Sequence, residues 1–182
     1  MTITADYALL VAIIEGLSRH GSWCGETHIQ KTAYAAKQVL GVPLDASFIL
    51  YKHGPYSFDV NATLASMRAD RVLSLVPQGK YGPSYSLESA SRSVLARFQQ
   101  IVEANAEKIQ RIAAEFAPKN VAELERIATA IYVAEKSPDA SPAAHAAELN
   151  RLKPHIDLSI ALAAVQEADR LKLTRARSAD RV

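Results

Sequence analysis

The sequence predicts a mainly α-helical protein with a small β-hairpin, arranged as a winged helix-turn-helix followed by a C-terminal helical bundle. Apolar residues recur at helical spacing along most of the 182 residues. Two short runs with β propensity, 71–76 and 84–87, flank a turn rich in glycine and proline. We therefore divide the chain into a winged-helix module at 1–90, a helical part at 91–173 and a basic flexible tail at 174–182.

Three helices are expected ahead of the hairpin. The first spans 6–19 with Asp6 as its N-cap, and the second spans about 27–40 and ends at Gly41, a residue type that favours the left-handed position after a helix. The third spans 57–69 and begins at a serine that can cap it. Three helices followed by a hairpin are the order of elements in a winged helix-turn-helix.

The second half of the chain reads as helices separated by proline. The patterns predict one helix at 91–116, a second from Val121 to about Ser137, and a third that opens at Ser141-Pro142, where proline occupies a favoured first position. A last helix runs to about Lys172. Amphipathic helices of this kind often pair with a second copy, so a homodimer through the C-terminal helices is one hypothesis.

The segment 52–56, Lys-His-Gly-Pro-Tyr, is the most distinctive local cluster. One interpretation is structural: the Gly-Pro pair forms a turn that sets the start of the third helix, Tyr56 fixes that helix and Tyr51 packs inward. The other interpretation is functional. It places Lys52, His53 and Tyr56 on the surface beside the positive N-terminus of the third helix.

A DNA-binding hypothesis follows from the winged-helix prediction. The helix at 57–69 would enter the major groove, while the wing at 72–87 would contact the flank. Asparagine and arginine are suitable readers of base edges. The candidate nucleic-acid-binding residues are Lys52, His53, Tyr56, Asn61, Thr63, Arg68, Arg71, Lys80 and Tyr81.

The distribution of charge weakens the DNA-binding hypothesis. The formal net charge is +2, and residues 1–90 carry seven basic and seven acidic side chains. The excess lies at the end of the chain, where 170–182 carries +4, so the rest carries −2. A dedicated DNA-binding domain usually has a basic face of its own. The five basic residues at the end are Arg170, Lys172, Arg175, Arg177 and Arg181, against Asp180.

The sequence lacks the usual signatures of several other classes of protein. The single cysteine, Cys24, forms no internal disulfide, no apolar run approaches the roughly 20 residues of a membrane span, and the N-terminus lacks the basic start of an export signal. We therefore expect a cytoplasmic protein with no membrane segment. Metal-ligand spacings and catalytic motifs are missing, so we expect no cofactor, no metal and no enzyme. A catalytic centre assembled from distant residues stays a third hypothesis.

Four segments resemble a known family. They are 28–34, which contains Gln-Lys-x-x-Tyr, 48–59, which contains Tyr-x-x-Gly-Pro, and the downstream stretches 123–130 and 152–156. The pattern resembles the uncharacterised YwgA-type bacterial and archaeal proteins and, more distantly, is similar to the Panacea (SocA-like) antitoxin domain. The second resemblance implies binding and neutralisation of a toxin protein, sometimes with the role of a protease adaptor.

Two functions therefore lead the sequence-based hypotheses. The first is a non-enzymatic winged-helix regulator that binds DNA. The second is an antitoxin or defence-associated adaptor that binds a partner protein, encoded nearby, through a surface at Tyr51 and Tyr56. The two functions require different surfaces. A surface that binds DNA needs basic groups, and a surface that binds a protein needs apolar area.

Overall fold

The computed structural model describes residues 3–79 and 82–179, except for the side chains of 174–179. It is mainly helical, with two small antiparallel hairpins. The mainly helical prediction with a small hairpin is confirmed. The elements are α1 (Ala5–Arg19), α2 (Glu26–Leu40), β1 (Ile49–Tyr51), β2 (Gly54–Tyr56), α3 (Phe58–Ala69), β3 (Leu73–Val76), β4 (Ser84–Leu87), α4 (Ser91–Arg97), α5 (Gln99–Phe116), α6 (Val121–Lys136), α7 (Pro142–Leu152) and α8 (Leu158–Ala179).

Local capping chemistry explains where several helices begin. The Ser57 hydroxyl accepts a hydrogen bond from the backbone N–H of Val60, so Ser57 is the N-cap of α3. The Ser141 hydroxyl caps α7 in the same way, with proline at the first helical position. The N-cap predicted for α1 is wrong: Thr4 occupies that position, and the carboxylate of Asp6 instead accepts from the backbone N–H of Asp45.

Helix α1 lies at the centre of the molecule. It is buried almost all round, and it packs mainly against α5, with further contacts to α2 and α4. Helix α2 packs against α6 and α5. One cluster of buried apolar side chains includes residues from both predicted parts, 1–90 and 91–173. The boundary at residue 90 stays a prediction.

The segment between α2 and α3 folds into a hairpin that the sequence analysis did not predict. Strand β1 pairs with β2 so that Ile49 lies opposite Tyr56, and Tyr51 lies opposite Gly54. Gly54 has φ +82°, a left-handed conformation that favours glycine. A Cβ on Gly54 would also lie 2.9 Å from the Oγ1 of Thr129 on α6. The turn therefore requires glycine for its conformation and for its close approach to α6.

The predicted wing is present as the hairpin β3–β4, with Leu73 opposite Leu87 and Val76 opposite Ser84. Its first strand begins later than predicted because Arg71 adopts a left-handed φ of +57° after α3 and cannot extend the ladder. The backbone N–H of Tyr85 donates to the carbonyl of Cys24, which ties β4 to the start of α2.

The second half of the chain has more helices than predicted. The helix predicted at 91–116 is divided into α4 and α5 at Phe98, whose backbone leaves the helical region. The last helix continues to Ala179, beyond the predicted end near Lys172. Within the described ranges, each helix is too short or too polar to cross a lipid bilayer.

Candidate interaction surface

The motif residues on α2 hold the β1–β2 hairpin from below. Gln30 is buried, and its side-chain amide brackets Ser57: the Nε2 donates to the Ser57 carbonyl at 3.0 Å, and the Oε1 accepts from the Ser57 N–H at 3.0 Å. Backbone groups that are buried in this way need partners. Gln30 supplies both partners at the point where the hairpin becomes α3.

Lys31 is a buried cation that binds the same hairpin. Lys31 is only 2% exposed, and its Nζ donates to the Pro55 carbonyl at 2.7 Å. Burial lowers the pKa of Lys31 to about 8, although the charge of Glu125 acts in the opposite direction. A lysine that loses water around its charge must gain hydrogen bonds in return. The bond to Pro55 is that compensation.

A second buried cation reaches the hairpin from the link between α7 and α8. The Nζ of Lys153 lies 3.0 Å from Oε1 of Glu125 on α6, and it donates to the carbonyl of Lys52. The second carboxylate oxygen of Glu125 lies 3.6 Å from Nδ1 of His53. Breaking one side of a buried pair is far more costly than losing an exposed one.

We call Gln30, Lys31, Glu125 and Lys153 the hairpin lock. Its members come from three separate parts of the chain. Gln30, Lys31 and Lys153 each donate a hydrogen bond to a backbone carbonyl within 51–57. None of these four residues was a predicted site residue. The segments 28–34, 123–130 and 152–156 of the family resemblance contain all four residues and were the signal that could have found them.

The outer face of the hairpin carries exposed aromatic and apolar side chains. Ile49, Tyr51 and Phe58 are 48%, 55% and 57% exposed, and Tyr56 is half-buried beside them. The ring centroids of Tyr51, Tyr56 and Phe58 lie 5.2–5.9 Å apart. We call these four residues the aromatic patch. Aromatic rings at such separations attract one another, so the cluster is held as a unit.

The expectation that Tyr51 packs inward is wrong. Successive side chains of a strand point to opposite faces, so Tyr51 shares the face of Ile49, and the pairing of Ile49 with Tyr56 adds the second tyrosine. The Tyr56 hydroxyl donates to Oε1 of Glu26 at 2.9 Å. Burial and this carboxylate raise the pKa of Tyr56 to about 12. Tyr56 therefore anchors the patch to α2.

The predicted nucleic-acid-binding residues fall into separate groups. Lys52 and His53 are exposed at the turn of the β1–β2 hairpin, whereas Arg68 and Arg71 are exposed at the opposite end of α3, about 15 Å along the helix. The Thr63 hydroxyl donates to the carbonyl of its own helix at Asp59. Asn61 is half-buried and Tyr56 belongs to the aromatic patch, while Lys80 and Tyr81 lie outside the described residues.

Two further titratable groups, His28 and Cys24, are buried in the core. Nε2 of His28 lies 2.9 Å from the carbonyl of Lys119, and burial lowers the pKa of His28. Burial raises the pKa of the Cys24 thiol. Across 3–79 and 82–179, no three His, Cys, Asp or Glu side chains converge as a metal site would require.

No family model, curated protein or solved structure matches the chain. The resemblance to the YwgA-type proteins and to the Panacea domain stays a prediction, carried by the motif strings at 28–34 and 48–59. The geometry adds a physical meaning to those strings: their polar members hold the β1–β2 hairpin, and their aromatic members at 51 and 56 form its outer face.

Proposed function

We propose that this protein is a non-enzymatic binding module that recognises a partner protein through the aromatic patch. The observation that carries the proposal is the exposure of Tyr51 on the β1–β2 hairpin beside Phe58 at the start of α3, with buried side chains bonded to the hairpin backbone beneath them. Exposed clusters of large apolar side chains on a folded protein typically mark interaction sites. The resemblance to an antitoxin domain points to the same class of partner.

The hairpin lock favours tight binding because it reduces the ordering that binding requires. Aromatic side chains dominate the energetics of protein interfaces, and tyrosine is among the most frequent of them. A surface that is already rigid loses little conformational entropy when a partner covers it. The hydrogen bonds of Lys31 and Lys153 to hairpin carbonyls supply that rigidity.

The test uses the product of the gene beside this one, titrated calorimetrically into the purified protein. We expect a complex with the wild type and a loss of affinity of at least about 30-fold in the double variant Tyr51→Ala, Phe58→Ala. Val76→Ala is the control, because Val76 is also an exposed apolar residue, at 40%, but lies on β3. Full affinity in the double variant, or no complex with the wild type, would refute the proposal.

DNA binding by a winged helix-turn-helix is the second candidate function. It is favoured by the exposure of Arg68 and Arg71 together at one end of α3, beside a hollow that also includes Ser74 of β3. Against it, 41–57 separates α2 from α3 and contains a hairpin, whereas a helix-turn-helix joins its two helices by a short turn.

Anisotropy of a labelled random duplex at low and moderate salt tests this candidate. If α3 binds DNA, Arg68→Ala and Arg71→Ala each lower the salt slope by about 1. A chain ending at Leu173 separates the effect of the basic tail. The truncation stops there because Leu171 is buried and its carbonyl accepts from Arg111. Binding that both arginine variants retain would reject α3 as the DNA-binding helix.

A homodimer through the C-terminal helices is proposed on narrower grounds. Helix α8 exposes Leu158, Ile160 and Leu173. Equilibrium sedimentation of the wild type and of the double variant Leu158→Asp, Ile160→Asp measures the oligomeric state of each protein. A monomer in the wild type at all concentrations would reject the dimer.

A further inference from the structure

A cleft of about 970 Å³ is lined by residues other than the aromatic patch. Its walls are the start of α2, one face of α3, the hairpin β3–β4 and the link between α5 and α6. Small-molecule sites typically have volumes of several hundred to about 1,000 Å³ and combine an apolar lining with a few polar groups. The residues that matter here are Trp23, Glu26, Asn61, Arg68, Tyr85 and Lys119.

In the described part of the chain, Trp23 and Tyr85 are the large aromatic side chains that line the cleft. The indole of Trp23 lies across Gly25, because a Cβ on that glycine would be 2.6 Å from the indole Cδ1 and Nε1. Tyr85 is brought to the same region by the hydrogen bond from its backbone N–H to the Cys24 carbonyl, at 2.9 Å. Aromatic side chains of this kind are suitable stacking surfaces for a planar ring.

The cleft also contains a cation whose charge is not engaged. Arg68 is exposed, and no carboxylate in the described part of the chain lies within ion-pair distance of its guanidinium. Its charge acts on Tyr85, where it opposes the rise in pKa that burial causes. Guanidinium groups bind carboxylates and phosphates in a bidentate manner. Arg68 is therefore available for an anionic group close to an aromatic wall.

The other charged groups of the lining are already paired. The carboxylate of Glu26 accepts from the Tyr56 hydroxyl, and Nζ of Lys119 lies 2.6 Å from the carboxylate of Glu167. The side chain of Asn61 makes no hydrogen bond to any described residue, so it is a neutral donor and acceptor within the cleft. Among the residues that the structure describes, the lining thus offers the guanidinium of Arg68, the amide of Asn61 and the rings of Trp23 and Tyr85.

We infer that this cleft binds a small molecule in which a planar aromatic ring is joined to an anionic group, as in a nucleoside monophosphate. The ring lies against Trp23 and Tyr85, and the anion binds the guanidinium of Arg68. This inference is independent of the proposed partner-protein function, because none of the aromatic-patch residues lines the cleft. Either proposal can fail while the other holds.

The experiment uses the fluorescence of Trp23, which is the chain's single tryptophan. The full chain is titrated with adenosine monophosphate, with adenosine and with inorganic phosphate. A ligand with the size of the monophosphate and ordinary ligand efficiency has a Kd of about 10 µM. We expect saturable binding of the monophosphate near that value and at least about tenfold weaker binding of adenosine and of phosphate.

Two variants separate the cleft from a general attraction of anions. Arg68→Ala should weaken the monophosphate at least about tenfold, whereas Arg92→Ala, an exposed arginine on α4 outside the cleft, should leave the Kd unchanged. The absence of a saturable change at about 1 mM monophosphate would overturn the inference. Equal binding of adenosine, or equal weakening by both variants, would overturn the assignment of the anion to Arg68.

Discussion

Replacing Lys31 by methionine should remove a pH dependence of stability that the wild-type protein has in alkaline solution. Burial lowers the pKa of Lys31 from 10.5 to about 8 in the folded protein. In the unfolded chain the same ammonium titrates near 10.4. Between these two pKa values the unfolded state binds more protons, so the free energy of unfolding rises with pH. Below about pH 8 the group is protonated in both states and contributes no slope.

The size of the effect follows from the difference between the two pKa values. A difference of about 2.4 units corresponds to roughly 3.3 kcal/mol, of which about 2.5 kcal/mol develops between pH 7 and pH 10. Methionine keeps the length and the apolar stem of Lys31 but carries no charge. Its thioether cannot donate to the Pro55 carbonyl, so the variant tests the titration and the bond together.

Urea unfolding of both proteins at several pH values from about 7 to 10 measures the difference. Tyrosines with raised pKa values, such as Tyr56, lower the stability of both proteins as pH approaches 10. Subtraction of the two curves removes that shared contribution. We expect the wild type to gain about 2.5 kcal/mol relative to Lys31→Met over this range. Parallel curves would show that the ammonium is not buried beside the hairpin, and the reasoning would be refuted.

Three further predictions concern the hairpin and the core. Gly54→Ala should lower the free energy of unfolding by at least about 2 kcal/mol in urea unfolding, because it adds the clash with Thr129 to the strain of a positive φ. Gly21→Ala, with φ +76° and open space around it, should show the strain alone, about 1 kcal/mol; equal losses would exclude the clash. Lys153→Met should lower the free energy of unfolding by about 3–5 kcal/mol and speed amide exchange in β1 and β2. Unchanged, slow exchange in these two strands would contradict the role of the hairpin lock. Cys24 should react with a thiol reagent only after unfolding, since it is buried and its pKa is raised, and rapid reaction of the native protein would contradict its placement.

Part of the interaction surface could be predicted from local sequence. Tyr51 and Tyr56 were proposed as a protein-binding surface, and the Gly-Pro pair between them as a turn. Ile49 and Phe58 were missed, because nothing in a local pattern distinguishes an exposed apolar residue from a buried one at the edge of an element. The register of β1 against β2 decides that question, and the return strand contains a glycine and a proline, which hide its β character.

Features that depend on neighbours a few residues apart could be predicted before the fold was known. These are the helical periods, the caps at Ser57 and Ser141, the left-handed Gly41 after α2 and the hairpin that follows α3. Such signals act through backbone conformation and hydrogen bonds within one turn, so they can be recognised from the local sequence without the rest of the fold.

Long-range contacts, which no local pattern reveals, set which residues hold the β1–β2 hairpin and which face outward. The Nζ of Lys153 meets the carbonyl of Lys52 across 101 positions of the chain, and it also meets the carboxylate of Glu125 on α6. Each of these charges can be buried only when its bonding partners are also in place, because a buried charge without partners loses its hydration and gains no hydrogen bond in return. Long-range packing sets that arrangement, and the same packing leaves the aromatic patch facing solvent.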